Sequence, residues 1–207
     1  MYKVETKAVR FSNGMNLLLR KKPLIIGFSV IIMVIVIVMT LASLGYYPIL
    51  VVNGAPVTAR RFFMNNEAAL RYAQNIAKTY PSRVSGAPQD PDEIGASVLT
   101  GLVEETLLNQ GLQAEAGRDA DMLVQEKIAK YGTDQKLQNA TEALYGMTLA
   151  QFREEVLIPQ AKQDVFKGRL FLKDKSLDEW ISDAKKNARV VVLSAQFTWD
   201  GEKISAK

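Results

Sequence analysis

The sequence predicts a mainly α protein: one N-terminal transmembrane helix, then an extracytoplasmic helical domain closed by a small antiparallel pairing of Ile49–Val52 with Val190–Leu193. Three observations predict it. An uncharged run rich in Ile, Val, Leu and Met extends from Leu24 to Leu44. Apolar residues then recur at helical spacing from Thr58 to Ala188, and a short apolar run of strand composition stands at each end of that region. The corresponding division is a basic cytoplasmic arm at 1–22, a transmembrane anchor at 23–47, a helical domain at 48–197 and a flexible tail at 198–207.

The spanning segment comes first. A helix from Leu24 to Leu44 covers about 31 Å, close to the roughly 30 Å hydrocarbon core of a bilayer. Its β-branched residues favour strands in water, but in lipid the backbone must close its own hydrogen bonds. Tyr46 and Tyr47 follow where an aromatic belt is expected, Arg20, Lys21 and Lys22 precede the run, and no further base occurs before Arg60. The positive-inside rule then puts the N-terminus in the cytoplasm and the rest outside the plasma or inner membrane. The alternative is a cleaved signal peptide, with small residues at Thr40, Ala42 and Ser43; its apolar region is normally shorter.

Composition excludes much chemistry. The 207 residues contain no His and no Cys, which removes imidazole bases, thiol nucleophiles, disulfides and the usual zinc and haem ligands. No cofactor and no metal are expected. The formal charge of +4 belongs to the arm: Lys3, Lys7, Arg10, Arg20, Lys21 and Lys22 oppose Glu5, while residues 45–207 hold 20 bases and 21 acids. A nucleic-acid domain carries its bases on a folded face, with aromatics interleaved. None is visible, and no nucleic-acid partner is expected.

The exported region reads in order. Residues 48–56, PILVVNGAP, are a strand ending in the Asn53–Gly54 turn. Thr58 caps a helix running to about Tyr80, with Phe62, Ala69, Leu70, Ala73, Ile76 and Ala77 near one face. Residues 81–91 form a breaker-rich loop. A second helix starts at Asp92 with a stripe of Ile94, Val98, Leu102, Leu108 and Leu112, and with Gly101 and Gly111 permitting close packing. Helices from Asp119 to Lys130 and Asp134 to Tyr145 follow. Thr148 and Gln151 spell a capping box for a long helix with Phe152, Val156, Phe166 and Leu170 inward and a kink expected before Pro159. Ser176 and Glu179 spell a second box, opening a helix to about Ala188 before the extended RVVVLSAQF.

Four strings in order, VVNGAPVTARRFF, GLVEETLLNQGL, YGMTLAQFREEV and DVFKGRL, resemble the N-terminal chaperone domain of the SurA, PpiD and PrsA foldases over about Val51 to Leu172. The tail SLDEWISDAKKNARVVVL is similar to the helix and strand that return to that domain after the parvulin isomerase module. Here only Lys173 to Lys175 intervene, so the module has no room, and its usual active-site His residues are absent. The family's usual acidic pair ahead of the third helix is replaced by Met122 and Leu123. The resemblance implies a membrane-anchored chaperone part without isomerase activity, whose partners are unfolded or newly exported polypeptides, with the translocon nearby.

Other chemistry is weak. Ser182 to Lys185 spells S-x-x-K, but the companion motifs of serine acyl enzymes are missing. Glu104 with Glu105, and Glu154 with Glu155, are adjacent on helices and point about 100° apart, so neither pair converges on one site. Asn139–Ala140–Thr141 is a glycosylation sequon by spelling. The client-binding candidates are Phe63, Met64, Tyr72, Met122, Tyr145, Met147 and Phe171, which lie off the core stripes. Met and aromatic residues suit sequence-tolerant apolar recognition. Two alternatives to a holdase stand beside it: a structural or adaptor subunit docked to one membrane complex, and a remnant of an isomerase.

Overall fold

The computed structural model describes residues 15–79, 90–130 and 135–207, with side chains from residue 28 onward and Gln135 by its backbone alone. Two compact units are distinguished, Met1–Leu44 and Gly45–Lys207.

The first unit contains helix α1 (Met15–Ser43), with every described residue from Phe28 to Leu44 exposed. Among the described residues no helix is long and apolar enough to cross a membrane, which corrects the transmembrane anchor expected over 23–47. The side chains of the 1–22 arm and most of the 81–91 loop lie outside the described residues.

In the second unit, β1 (Pro48–Val52) and β2 (Ala55–Thr58) lead into α2 (Ala59–Thr79). Next come α3 (Pro91–Ala116), α4 (Asp119–Ile128), α5 (Gln135–Tyr145) and α6 (Leu149–Phe152). A π turn at Arg153–Leu157 joins α6 to α7 (Ile158–Phe171), and α8 (Leu177–Asn187), β3 (Val190–Val192), β4 (Phe197–Trp199) and β5 (Ile204–Ala206) complete the chain.

Helix α3 is the axis of this unit. Asp90 caps it by accepting the Asp92 amide at 2.9 Å, Pro91 opens it, and Asp92 and Glu93 complement the positive end of its dipole. Helices α2, α7 and α8 and strand β5 all pack on it, so Ala96, Leu99, Val103 and Leu107 are buried besides most of the expected stripe. Its first half joins Leu50, Val52, Phe62, Phe197 and Ile204 in one core cluster. Its second half joins Ile128, Phe166 and Leu170 in another.

The strands form a sheet of order β2-β1-β3. Asn53 (φ 51°) and Gly54 (φ 86°) sit consecutively in the left-handed region, as a two-residue hairpin turn between β1 and β2 requires. On its other side β1 runs antiparallel to β3, with Leu50 opposite Val192 and Val52 opposite Val190. Asn53 fastens this junction: its N–H donates to Arg189 O, and its Oδ1 accepts from the Arg189 N–H, both at 2.9 Å. The start of the unit and the segment after α8 therefore share one sheet, and β4 and β5 form a second.

Three expectations are corrected. The 198–207 tail is not frayed: β4 and β5 pair, Phe197 and Ile204 are buried, and the Ile204 N–H donates to Thr100 Oγ1 at 2.8 Å. The cause is an alternating pattern, Phe197–Thr198–Trp199 and Ile204–Ser205–Ala206, on either side of the Asp200–Gly201 turn. Ser176 is the N-cap of α8 but makes no side-chain cap bond, whereas the Thr148–Gln151 box is complete. The disturbance before Pro159 is a π turn. Proline offers no N–H to Glu155 O, and the Ile158 N–H instead reaches back five residues to Arg153 O.

Candidate functional site

Helices α2 and α3 approach each other at small residues. Ala68 and Ala69 on α2 face Gly101 on α3, and the space that larger side chains would fill is a cavity of about 340 Å³. Tyr72, Tyr145 and Met147 wall one end of it. The α5–α6 corner is held there by Asn75, whose Nδ2 donates to Ala143 O at 2.9 Å and Leu144 O at 3.2 Å. Gly146 (φ 68°) reverses the chain under the Arg71 guanidinium, in space that a Cβ would occupy. The Tyr72 and Tyr145 rings stack at 5.2 Å, and Phe152 lies 5.5 Å from Tyr145. Burial, and secondarily the neighbouring Tyr72, push the Tyr145 phenol above its usual pKa.

The other end is ionic. Arg61 Nη2 donates to both Glu105 oxygens at 2.6 and 2.7 Å, and its Nε donates to Glu155 Oε2 at 3.1 Å. Asn65 Nδ2 donates to the same Glu155 oxygen at 2.7 Å. The Arg61, Glu105 and Glu155 side chains are only 12–27% exposed. Burial opposes the charge on Arg61, but the hydrogen bonds and charges of Glu105 and Glu155 outweigh it and raise the Arg61 pKa above its usual value.

Three of the seven client-binding candidates meet at this groove: Tyr72, Tyr145 and Met147. Met147 is 3% exposed and belongs to the wall rather than the surface. Met64 packs beside the α6 cap, its sulfur 3.8 Å from Gln151 Nε2, and does not line the cavity. Phe63 lies tilted at 51° against Phe62, their rings 5.3 Å apart, and is itself half exposed. Met122 on α4 and Phe171 at the end of α7 are exposed away from the groove, Phe171 at 76%.

Sequence reasoning missed the ionic end. It found that neither acid pair converges on one site, yet Glu105 of one and Glu155 of the other meet at Arg61, while Glu104 accepts from Lys185 Nζ at 2.7 Å. That ion pair ties up the would-be base of Ser182. The sequon is no better placed, because Thr141 is 2% exposed and its hydroxyl donates to Gln138 O. Among the described residues no group of three or more acidic side chains is placed to hold a metal ion. The larger cavities, about 480 Å³ along α8 and about 820 Å³ between α3 and β5, are lined largely by polar residues.

No protein-family model, curated protein or solved structure matches the chain.

Proposed function

We propose that Gly45–Lys207 is an extracytoplasmic chaperone of the holdase kind, which retains unfolded or newly exported polypeptides in the α2–α3 groove and does not isomerise proline. One observation carries this reading: small residues leave an apolar groove beside a stacked tyrosine pair and a methionine. Stacked rings offer wide apolar faces at little entropic cost, and methionine adapts to varied shapes. Binding of this kind is weak, needs no nucleotide and tolerates many sequences. The resemblance to the foldases supports the same reading. A place at the outer face of the cell membrane, near the translocon, goes with the resemblance and rests on no span.

The test fills the groove. Gly101 lines the cavity, and a Cβ there meets nothing within 4 Å, so Gly101→Phe projects a ring into open space. The full-length chain at several-fold excess should delay aggregation of a chemically unfolded client, and G101F should delay it less. Equal protection by both proteins, or none by the wild type, overturns the reading.

A second reading, a structural or adaptor subunit, is favoured by α1. From Phe28 to Ser43 its described side chains are exposed on all sides and mostly apolar, as in a helix that another surface covers. Crosslinking in cells decides between them, one sharp partner band marking a subunit and a smear marking a chaperone.

A further inference from the structure

We infer that the groove selects unfolded segments in which a Lys or Arg adjoins the apolar residues, the cation seating against Glu105; this rests on the holdase reading above. Arg61, Asn65, Ala68 and Tyr72 are spaced to share one face of α2. From Arg61 to Tyr72 that face rises about 16 Å, the length of about five residues of extended chain.

The two ends differ in charge. At one, Arg61 brings one positive charge against two negative ones from Glu105 and Glu155, an excess of one negative charge. Glu105 and Asn65 face the cavity, and Glu105 is the one ionised residue among those lining it. A carboxylate has about four lone-pair positions. Arg61 takes one on each oxygen, which leaves acceptor capacity for an ammonium or guanidinium entering from the cavity. At the other end stand the neutral tyrosines, with Arg71 already balanced by Glu67 at 3.7 Å. A client carboxylate at the Glu105 end would meet net repulsion from the excess negative charge. A client cation there meets attraction in a partly dry site, where charge interactions exceed those in bulk water.

The experiment measures the affinity of the full-length chain for fluorescent peptides that share one apolar core and end in two Lys, two Gln or two Glu. The Lys peptide should bind roughly fivefold more tightly than the Gln peptide, and the Glu peptide most weakly. The Lys-to-Gln ratio should shrink with added KCl. It should fall towards one in Glu105→Gln and, as a second variant that removes the excess charge without altering the lining, in Glu155→Gln. Equal binding of all three peptides overturns this inference and leaves the holdase reading standing, whereas no binding of any peptide overturns both. A ratio that survives in whichever variant folds places the selectivity elsewhere and overturns the role of Glu105.

Discussion

Substituting alanine at two glycines of α3 separates packing from helix propensity. At either position the new methyl gains about 1 kcal/mol of propensity. At Gly111 it would stand 2.5 Å from Trp180 Cζ2, 2.6 Å from Cη2 and 2.8 Å from Phe166 Cζ. Ordinary carbon contacts lie at about 3.5–4.0 Å, so the rings must retreat by about 1 Å. They have little room to do so: Trp180 meets Phe166 edge to face at 4.6 Å, and Phe166 is 0% exposed. Overpacking of this kind costs about 1–3 kcal/mol, and loosening the ring pair adds about 0.5–1.5 kcal/mol. Gly111→Ala should therefore lose about 1–3 kcal/mol net, while Gly101→Ala gains about 0.5–1 kcal/mol because nothing lies within 4 Å of its Cβ. The difference, about 1.5–4 kcal/mol, reports packing alone. Urea unfolding followed by tryptophan fluorescence measures both midpoints. If G111A is as stable as G101A, Trp180 is not seated against the α3 backbone, and the account of the second core cluster is wrong.

Three further outcomes follow from local geometry. Thr148→Ala should cost about 1 kcal/mol, since it removes a complete capping box, whereas Ser176→Ala should stay within about 0.5 kcal/mol; thermal unfolding of the pair tests the contrast. Asn53→Ala should cost about 2–3 kcal/mol in the same assay, because it loses the Arg189 and Gln110 bonds and forces a methyl residue to φ 51°. Asp200 accepts the backbone amides of Lys203 and Glu202, which hold its carboxyl below the usual pKa. A depressed folded value means that its contribution to the hairpin is whole above about pH 4 and is lost as pH falls through the lowered value. Hydrogen-exchange protection of the Glu202 and Lys203 amides should decline over that acid range in the wild type and stay level in Asp200→Asn.

The helices were legible because their signals are local. Thr58, Asp92, Thr148 and Ser176 mark helix starts to within a residue or two, and the stripe on α3 names most of one side of the core. The β1–β3 pairing was legible from two unmatched apolar runs at the ends of one compact unit. The two hairpins were not, although Asn53–Gly54 and Asp200–Gly201 are strong turn dipeptides. In each case strands of three to five residues carry too little alternation to register beside long helices. The anchor assigned to 23–47 shows the opposite failure, a reading from an apolar run and its flanks that no described helix satisfies. The groove was half legible. Tyr72, Tyr145 and Met147 stood out as residues without a place in the stripes. Arg61, Glu105 and Glu155 come from three separate elements, and no spacing along the chain announces their meeting.

That meeting depends on Pro159. A regular α turn would use an N–H at 159 to serve Glu155 O; without one the helix widens, and the π turn carries Glu155 to Arg61 and Asn65 while Val156 lines the groove. A carboxylate only 12% exposed is costly unless paired, and the Arg61 guanidinium and Asn65 amide offset that cost. The proline thus shapes a wall of the groove and sets the charge at its end. Pro159→Ala restores the missing donor and lets the helix regain α register, which rotates Glu155 away from Arg61. The regained backbone bond favours the variant and the lost Arg61–Glu155 pair opposes it, so the protein should stay folded, which thermal unfolding checks. The substitution should nevertheless move the Lys-to-Gln peptide ratio. A ratio identical to wild type in a folded P159A protein would mean that the ion pairs, and not the proline, hold the π turn open.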